Sequence, residues 1–138
     1  MKILMISLDK NILDAGSLAA ERMIKNVGED FLFILIPNGK SKEVNLNERV
    51  FVASTGGGKF YQFFKLIFLG KEKIKKYQIE MITVQDPFFI GLAGWILKFL
   101  TGTKLEIQLH GDFYSNDYYK KNSLIDFFRF YLGKFIIK

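Results

Sequence analysis

The sequence contains no cysteine, a single histidine and two prolines among its 138 residues. The chain can therefore have no disulfide, no cysteine-ligated zinc site and no cysteine nucleophile. One histidine, His110, also excludes a metal site built from several histidines of this chain. The longest apolar run, Phe88 to Leu97, is far shorter than the roughly 20 residues that a transmembrane helix needs. No cleavable signal peptide is evident, so we expect a cytoplasmic domain.

Apolar residues make up 49% of the chain and charged residues 25%, which is typical of a folded globular protein. The length predicts a single domain spanning residues 1–138. Two features of the composition are unusual. There are 15 phenylalanines, and the 20 lysines and arginines exceed the 14 acidic residues, which gives a net charge of +6.

The positive charge is concentrated in two segments that are also rich in aromatic and aliphatic residues. Residues 59–77 carry six lysines against one glutamate, and residues 120–138 carry five basic residues against one aspartate. This pattern predicts two basic amphipathic helices. The lysines are either solvated on helices that pack against a sheet, or they attract an anionic membrane surface. Nucleic acid is the least favoured partner, because no nucleic-acid-binding motif is present.

Apolar runs alternate with segments of helical pattern along the chain. The predicted strands are Lys2–Leu8, Phe31–Ile36, Val50–Ser54, Glu80–Val84 and Lys104–Leu109. The predicted helices are Leu18–Val27 with Ser17 as N-cap, Phe60–Tyr77 with a possible interruption at Gly70, Phe88–Leu100 and Ser123–Ile137. Residues 40–49 are polar and are expected to form a loop or the arm of a hairpin.

The predicted strands are continuous apolar runs, which is the pattern of strands buried on both faces of a parallel sheet. Helices between such strands cover both faces through right-handed crossovers. We therefore predict an α/β fold: a Rossmann-like, doubly wound and mainly parallel sheet with helices on both faces.

Ligands of open parallel sheets bind beyond the carboxyl ends of the strands. Polar and glycine residues follow four of the predicted strands, in the segments 9–17, 55–58, 85–87 and 110–112. The Gly56–Gly58 run is not a phosphate-binding loop, because Ala53 replaces the first required glycine and Phe60 replaces the serine or threonine. It is expected to be a flexible turn. The glycine fingerprint of dinucleotide-binding folds is absent as well.

His110 directly follows a predicted strand and precedes a glycine. An imidazole at that edge can hydrogen-bond to a sugar hydroxyl or a phosphate, and Asp112 can orient it or bind a hydroxyl itself. The alternative is a structural histidine. Asp86 has two interpretations of equal weight: a ligand-binding carboxylate, or the start of the turn before the next helix.

The segment from Ile82 to Ser115, with its QDPF and LHGD motifs, resembles the strand–helix–strand unit in the N-terminal domain of glycosyltransferase family 4, the retaining GT-B enzymes. Weaker similarity extends over most of the chain. The resemblance implies an acceptor-binding domain in which His110 is catalytic and faces the donor sugar. Acceptor-binding residues implied by it are Gly16, Ser17, Asp86, Gly111 and Asp112. The first loop departs from the family's Gly-Gly form.

Such enzymes transfer a sugar from a nucleotide-sugar with retention of configuration, without a metal or other cofactor. The resemblance implies a glycan or lipid-linked acceptor and peripheral attachment to the inner face of the cell membrane through residues 59–77 and 120–138. It also implies a second, donor-binding domain that residues 1–138 do not contain, so the chain is expected to be an inactive fragment or one part of a split enzyme. The alternative is a non-catalytic, membrane-associated α/β binding module.

Overall fold

The computed structural model describes residues 1–108 of the chain. These residues form six strands, three α-helices and a short 3-10 helix at Lys10–Leu13. The strands are β1 (Lys2–Ile6), β2 (Phe31–Ile36), β3 (Ser41–Asn45), β4 (Val50–Thr55), β5 (Met81–Val84) and β6 (Lys104–Ile107). The helices are α1 (Leu18–Val27), α2 (Lys59–Tyr77) and α3 (Phe89–Thr101). The predicted helix at 123–137 lies outside the described residues.

The six strands form one sheet in the order β3-β4-β2-β1-β5-β6. All neighbouring pairs are parallel except β3 with β4. In register, Ile6 of β1 lies between Leu35 of β2 and Val84 of β5. The predicted Rossmann-like, mainly parallel architecture is confirmed.

Residues 40–49 are the arm of a hairpin rather than a loop, because Ser41–Asn45 pairs antiparallel with β4. The turn of the hairpin is closed by Asn47, whose Oδ1 accepts from the backbone N–H groups of Arg49 and Val50 at 2.8 Å each. The outer strand β3 is mostly exposed and carries Lys42 and Glu43. Charges on an edge strand oppose pairing with other chains, which explains why this strand lacks the apolar run of the others.

Each face of the sheet buries its own hydrophobic core, because alternate residues of a strand point to opposite faces. On one face Leu4 and Ile6 of β1 pack with Leu66 of α2 and Leu97 of α3. On the other face Met5 packs with α1 and the 3-10 helix. Helices therefore lie on both faces, as predicted.

Helix α1 begins where the sequence predicts, with the Ser17 hydroxyl accepting from the backbone N–H of Ala20 at 3.1 Å. The sequence offers Leu18, Met23, Ile24 and Val27 for the apolar side of this helix. Leu18, however, is 71% exposed. Leu18 is the first residue of the helix, where the side chain projects over the loop rather than the sheet.

Helix α2 runs continuously through Gly70, so the glycine does not interrupt it. Gly70 is buried against α3, and a Cβ on it would lie 2.6 Å and 3.1 Å from the two methyl groups of Leu97. The glycine therefore allows close approach of two helices. A second glycine, Gly94 of α3, plays the same role over the sheet, where a Cβ would lie 2.8 Å from Val84.

Candidate functional site at the carboxyl edge of the sheet

The strand order places the topological switch point between β1 and β5. From β1 the chain proceeds to β2 and β4 on one side, then returns through α2 to β5 on the other side of β1. The loops after β1 and β5 therefore diverge and leave a crevice at the carboxyl edge. In open α/β sheets this crevice is where ligands bind.

Two polar side chains meet in this crevice. Ser7, fully buried after β1, donates its hydroxyl hydrogen to Gln85 Oε1 at 3.0 Å. The same hydroxyl oxygen accepts from the backbone N–H of Asp9 at 3.2 Å. The pair joins the two loops that diverge at the switch point. The sequence analysis includes Gln85 among the polar residues that follow a predicted strand. Ser7 is not among the predicted site residues. The one feature of the sequence that could have indicated it is a polar side chain near the end of an apolar strand.

A cavity of about 270 Å³ extends from Gln85 along the α1 face of the sheet. Thr83 of β5 and Gln108 after β6 also line it. The Thr83 side chain is 6% exposed, and its hydroxyl oxygen has no hydrogen-bond partner among residues 1–108. An unpaired buried hydroxyl is costly, so the cavity offers a polar group that a ligand or water can satisfy.

Gly16 and Ser17 lie in the loop between β1 and α1, and both are engaged by their own chain. The backbone N–H of Gly16 donates to Asp14 Oδ1 at 3.1 Å. The Ser17 hydroxyl donates to the Asn11 carbonyl at 2.6 Å while it caps α1. These bonds shape the loop at the start of the helix. The expected contacts of Gly16 and Ser17 with an acceptor stay predictions.

Asp86 lies next to Gln85, at the start of the turn into α3. Its Oδ1 accepts from the backbone N–H of Phe88 at 2.8 Å. The side chain therefore forms the turn that precedes the helix, which is one of its two predicted roles. The carboxylate is half-buried at the switch-point crevice, and its role toward an acceptor stays a prediction.

The remaining predicted site residues, His110, Gly111 and Asp112, lie outside the described residues. The described chain ends at Gln108, whose backbone N–H donates to the Val84 carbonyl at 2.8 Å. Because β6 is parallel to β5, its carboxyl end lies at the same edge of the sheet as Ser7 and Gln85. The predicted strand end at Leu109 is corrected in the described part: β6 ends at Ile107.

The glycine run after β4 forms a turn, as expected. Gly56 and Gly57 have φ angles of +74° and +76°, which few other residues adopt without strain. The backbone N–H of Gly57 donates to the Gly39 carbonyl at 3.1 Å, so this amide is engaged within the chain. No group of three acidic or histidine side chains in residues 1–108 is arranged to hold a metal ion.

A smaller cavity, of about 190 Å³, lies at the opposite, amino edge of the sheet. It is lined by Lys2, Phe31, Lys76, Tyr77 and Gln78. Ligands of open parallel sheets bind at the other edge, beyond the carboxyl ends of the strands. The carboxyl edge is therefore the candidate site.

No protein-family model matches the sequence, and no curated protein matches it significantly. Among solved structures, a sucrose-phosphate synthase from Thermosynechococcus elongatus is similar, with a TM-score of 0.55 and 15% sequence identity. The match covers 80% of this chain and 64% of that chain. The fold is Rossmann-like and consistent with one half of a GT-B fold. At this identity the likeness concerns the fold alone.

The basic helix α2 presents less charge to solvent than its sequence suggests. Lys73 is 7% exposed, with its Nζ 3.4 Å from Glu72, 4.0 Å from Glu43 and 5.3 Å from the centre of the Phe33 ring. This lysine packs toward the sheet and is unavailable to a membrane. No helix within residues 1–108 combines the length and apolarity required to cross a bilayer. The segment at 120–138 lies outside the described residues.

Proposed function

We propose that this chain is the acceptor-binding part of a retaining glycosyltransferase. The enzyme moves a sugar from a nucleotide-sugar to a cell-surface glycan or glycolipid acceptor. The observation that carries the proposal is the polar crevice between β1 and β5, where Ser7 and Gln85 join the two diverging loops. The fold likeness to a sucrose-phosphate synthase supports the same class of reaction.

The acceptor hydroxyl binds in the crevice beside Gln85. Because Gln85 Oε1 is held by the Ser7 hydroxyl, its Nε2 amide is the end that donates to an acceptor. Asp86, Gly16 and Ser17 complete the acceptor side, together with Gly111 and Asp112, which come after Gln108 in the sequence. Two reactants held in orientation react much faster than free ones, and this positioning is the chain's main contribution to catalysis.

His110 is the catalytic residue of the proposed glycosyltransferase. Its imidazole contacts the donor sugar and hydrogen-bonds to a hydroxyl or phosphate oxygen. The nucleotide-sugar is bound mainly by a second domain and acts as a substrate, so the reaction uses no metal or other cofactor. The enzyme works in the cytoplasm, at the inner face of the membrane, and does not bind nucleic acid.

The test is a transfer assay with the protein encoded by the full reading frame. A panel of radiolabelled nucleotide-sugars is incubated with lipid-linked and polysaccharide acceptors, and label in the acceptor fraction is counted. We expect transfer from one donor, and a loss of about 10²-fold or more with His110→Ala. Transfer that is unaffected by the substitution removes His110 from the site. No transfer from any donor contradicts the proposed function.

A second candidate function is a non-catalytic, membrane-associated α/β binding module. The observation that favours it is the row of exposed aromatic side chains Phe60, Phe64 and Phe68 on a helix with net charge +5. Each basic residue near an anionic bilayer contributes about 1 kcal/mol of attraction. Sedimentation with anionic liposomes at low and high salt, without sugar transfer, supports this candidate. Absence of binding at low salt contradicts it.

A further inference from the structure

An apolar groove lies between the first two turns of α2 and the first turn of α3. We name it the aromatic groove; it is lined by Lys59, Phe60, Phe63 and Phe64 of α2 and by Phe89 and Leu92 of α3. Its volume is about 500 Å³, the largest among the cavities described above. Apart from Lys59, its lining side chains are aromatic or aliphatic.

The walls of the groove are exposed to solvent although they are strongly apolar. Phe60 is 87% and Phe64 is 67% exposed. Phe63 packs edge-on against Phe64, with 5.8 Å between ring centres. It also lies tilted against Phe89 of α3 at 5.3 Å, and this contact links the two helices. Contiguous apolar surface of this kind marks a binding site for an apolar ligand or partner.

The aromatic groove opens at the same edge of the sheet as the candidate site. Helix α2 starts four residues after β4 ends, at Lys59, and α3 starts at Phe89, soon after β5 ends. The groove is lined by the first two turns of α2 and the first turn of α3, and both helices begin at the carboxyl ends of the strands that precede them. A ligand in the groove therefore lies on the side of the molecule where Gln85 and Asp86 are found.

The charge around the groove favours an anionic ligand. Lys59 lines the groove itself, and no acidic residue occurs in the first turn of α2. The single acidic residue of the helix, Glu72, lies 13 residues beyond Lys59, about 20 Å along the axis. A positive group beside a concave apolar surface matches a lipid with one phosphate and a hydrocarbon chain. A second copy of this chain, with net charge +6, is repelled.

We infer that the aromatic groove holds the hydrocarbon chain of a phosphate-linked lipid acceptor, with Lys59 against the phosphate. This inference rests on the proposed function, because it names the acceptor as a lipid. The chain is held by burial of apolar surface against Phe60, Phe64 and Leu92. The phosphate lies at the mouth of the groove, which directs the sugar-accepting end toward the switch-point crevice.

The experiment measures binding of dodecyl phosphate to the full chain by calorimetry, below the concentration at which the lipid forms micelles. Inorganic phosphate and dodecyl maltoside are the comparison ligands, one without a chain and one without a charge. We expect dodecyl phosphate to bind at least about tenfold more tightly than either, a difference of about 1.4 kcal/mol. Equal affinity for inorganic phosphate overturns the role of the groove, and equal affinity for the maltoside overturns the role of Lys59.

Matched variants locate the binding. Phe64→Ser is expected to weaken dodecyl phosphate binding about tenfold, whereas Phe99→Ser, at a still more exposed phenylalanine outside the groove, leaves it unchanged. Lys59→Ala weakens binding of the phosphate-bearing lipid, and Lys71→Ala on the same helix does not. Equal effects within either pair overturn the inference. Self-association that Phe64→Ser abolishes also overturns it, since a second copy then occupies the groove.

The outcome separates this inference from the proposed function. Localised lipid binding without sugar transfer from any donor refutes the proposed function and the acceptor role, and leaves only a lipid site. Sugar transfer that is unaffected by Phe64→Ser, together with unchanged lipid binding, refutes the groove and leaves the proposed function standing.

Discussion

Gly70 and Leu97 provide a double-mutant test of how α2 and α3 pack. Replacing Gly70 with alanine has two opposing effects. It gains about 1 kcal/mol of helix propensity, but the new methyl group would lie 2.6 Å from Leu97 Cδ1. Overpacking of this kind costs about 1–3 kcal/mol. Leu97 is fully buried and both of its methyl groups lie close to this position, so its side chain has little room to turn away. Gly70→Ala is therefore expected to lower the free energy of unfolding by up to about 2 kcal/mol.

The sign reverses when Leu97 is also shortened. Leu97→Ala alone, at a fully buried side chain, is expected to cost about 2–5 kcal/mol. It removes the atoms that the alanine at position 70 would meet. In that background Gly70→Ala keeps the propensity gain and adds about 0.8 kcal/mol from the buried methyl. It is then expected to stabilise the protein by about 2 kcal/mol, which gives a coupling energy of about 2–4 kcal/mol.

The assay is urea denaturation of the four proteins followed by far-ultraviolet circular dichroism. Gly39→Ala, at a glycine with open space around its Cα, serves as the control that is additive with Leu97→Ala. Equal destabilisation by Gly70→Ala in both backgrounds would refute the reasoning. The glycine would then serve the helix backbone rather than the contact between helices.

Three further substitutions test other parts of the structure. Ser17→Ala removes the cap of α1 and is expected to lower the free energy of unfolding by about 1 kcal/mol; an unchanged urea midpoint would contradict the cap, and Ser17→Thr is the control. Lys73→Met keeps the side-chain volume and removes a buried charge, so the free energy of unfolding is expected to fall by less than about 1 kcal/mol or to rise. A decrease of more than about 2 kcal/mol would show that the ion pairs of Lys73 are required for stability. The hydrogen bond to Asp30 raises the pKa of the Met1 ammonium above its ordinary value. The stabilisation from this ion pair is therefore complete at a pH below the ordinary pKa of the ammonium group. It is lost as the pH rises through the raised pKa. The difference in stability between the wild type and Asp30→Asn should disappear in alkaline solution, and a difference that grows with pH would contradict the assignment.

Much of the fold follows from local patterns. Runs such as Phe31–Ile36 predict strands buried on both faces, and alternate residues of β1 do pack into two separate cores. Ser17 was recognised as a cap because its hydroxyl precedes a helical pattern. These features depend on neighbours in the chain, so the sequence displays them directly.

The site depends on contacts that no local pattern reveals. Ser7 and Gln85 are 78 residues apart, and only the strand order brings β1 beside β5. From the sequence, Gly70 suggests a helix break because glycine has a low helix propensity. Its contact with Leu97 cannot be inferred from the sequence. Lys73 reads as one of six solvated lysines, although it packs on Phe33. Charge and propensity are properties of a residue, whereas these three outcomes are properties of its tertiary neighbours.

In the proposed function the carboxyl edge of the sheet, at the junction of β1 and β5, binds the acceptor of sugar transfer. The most direct measurement compares two chemically identical substitutions in the transfer assay. Gln85→Asn shortens the side chain held by Ser7, and Gln78→Asn alters the cavity at the amino edge, where asparagine tolerates the positive φ. We expect transfer to fall about tenfold or more for Gln85→Asn and to be unchanged for Gln78→Asn. Equal activities of the two variants, or a loss confined to Gln78→Asn, would contradict the account.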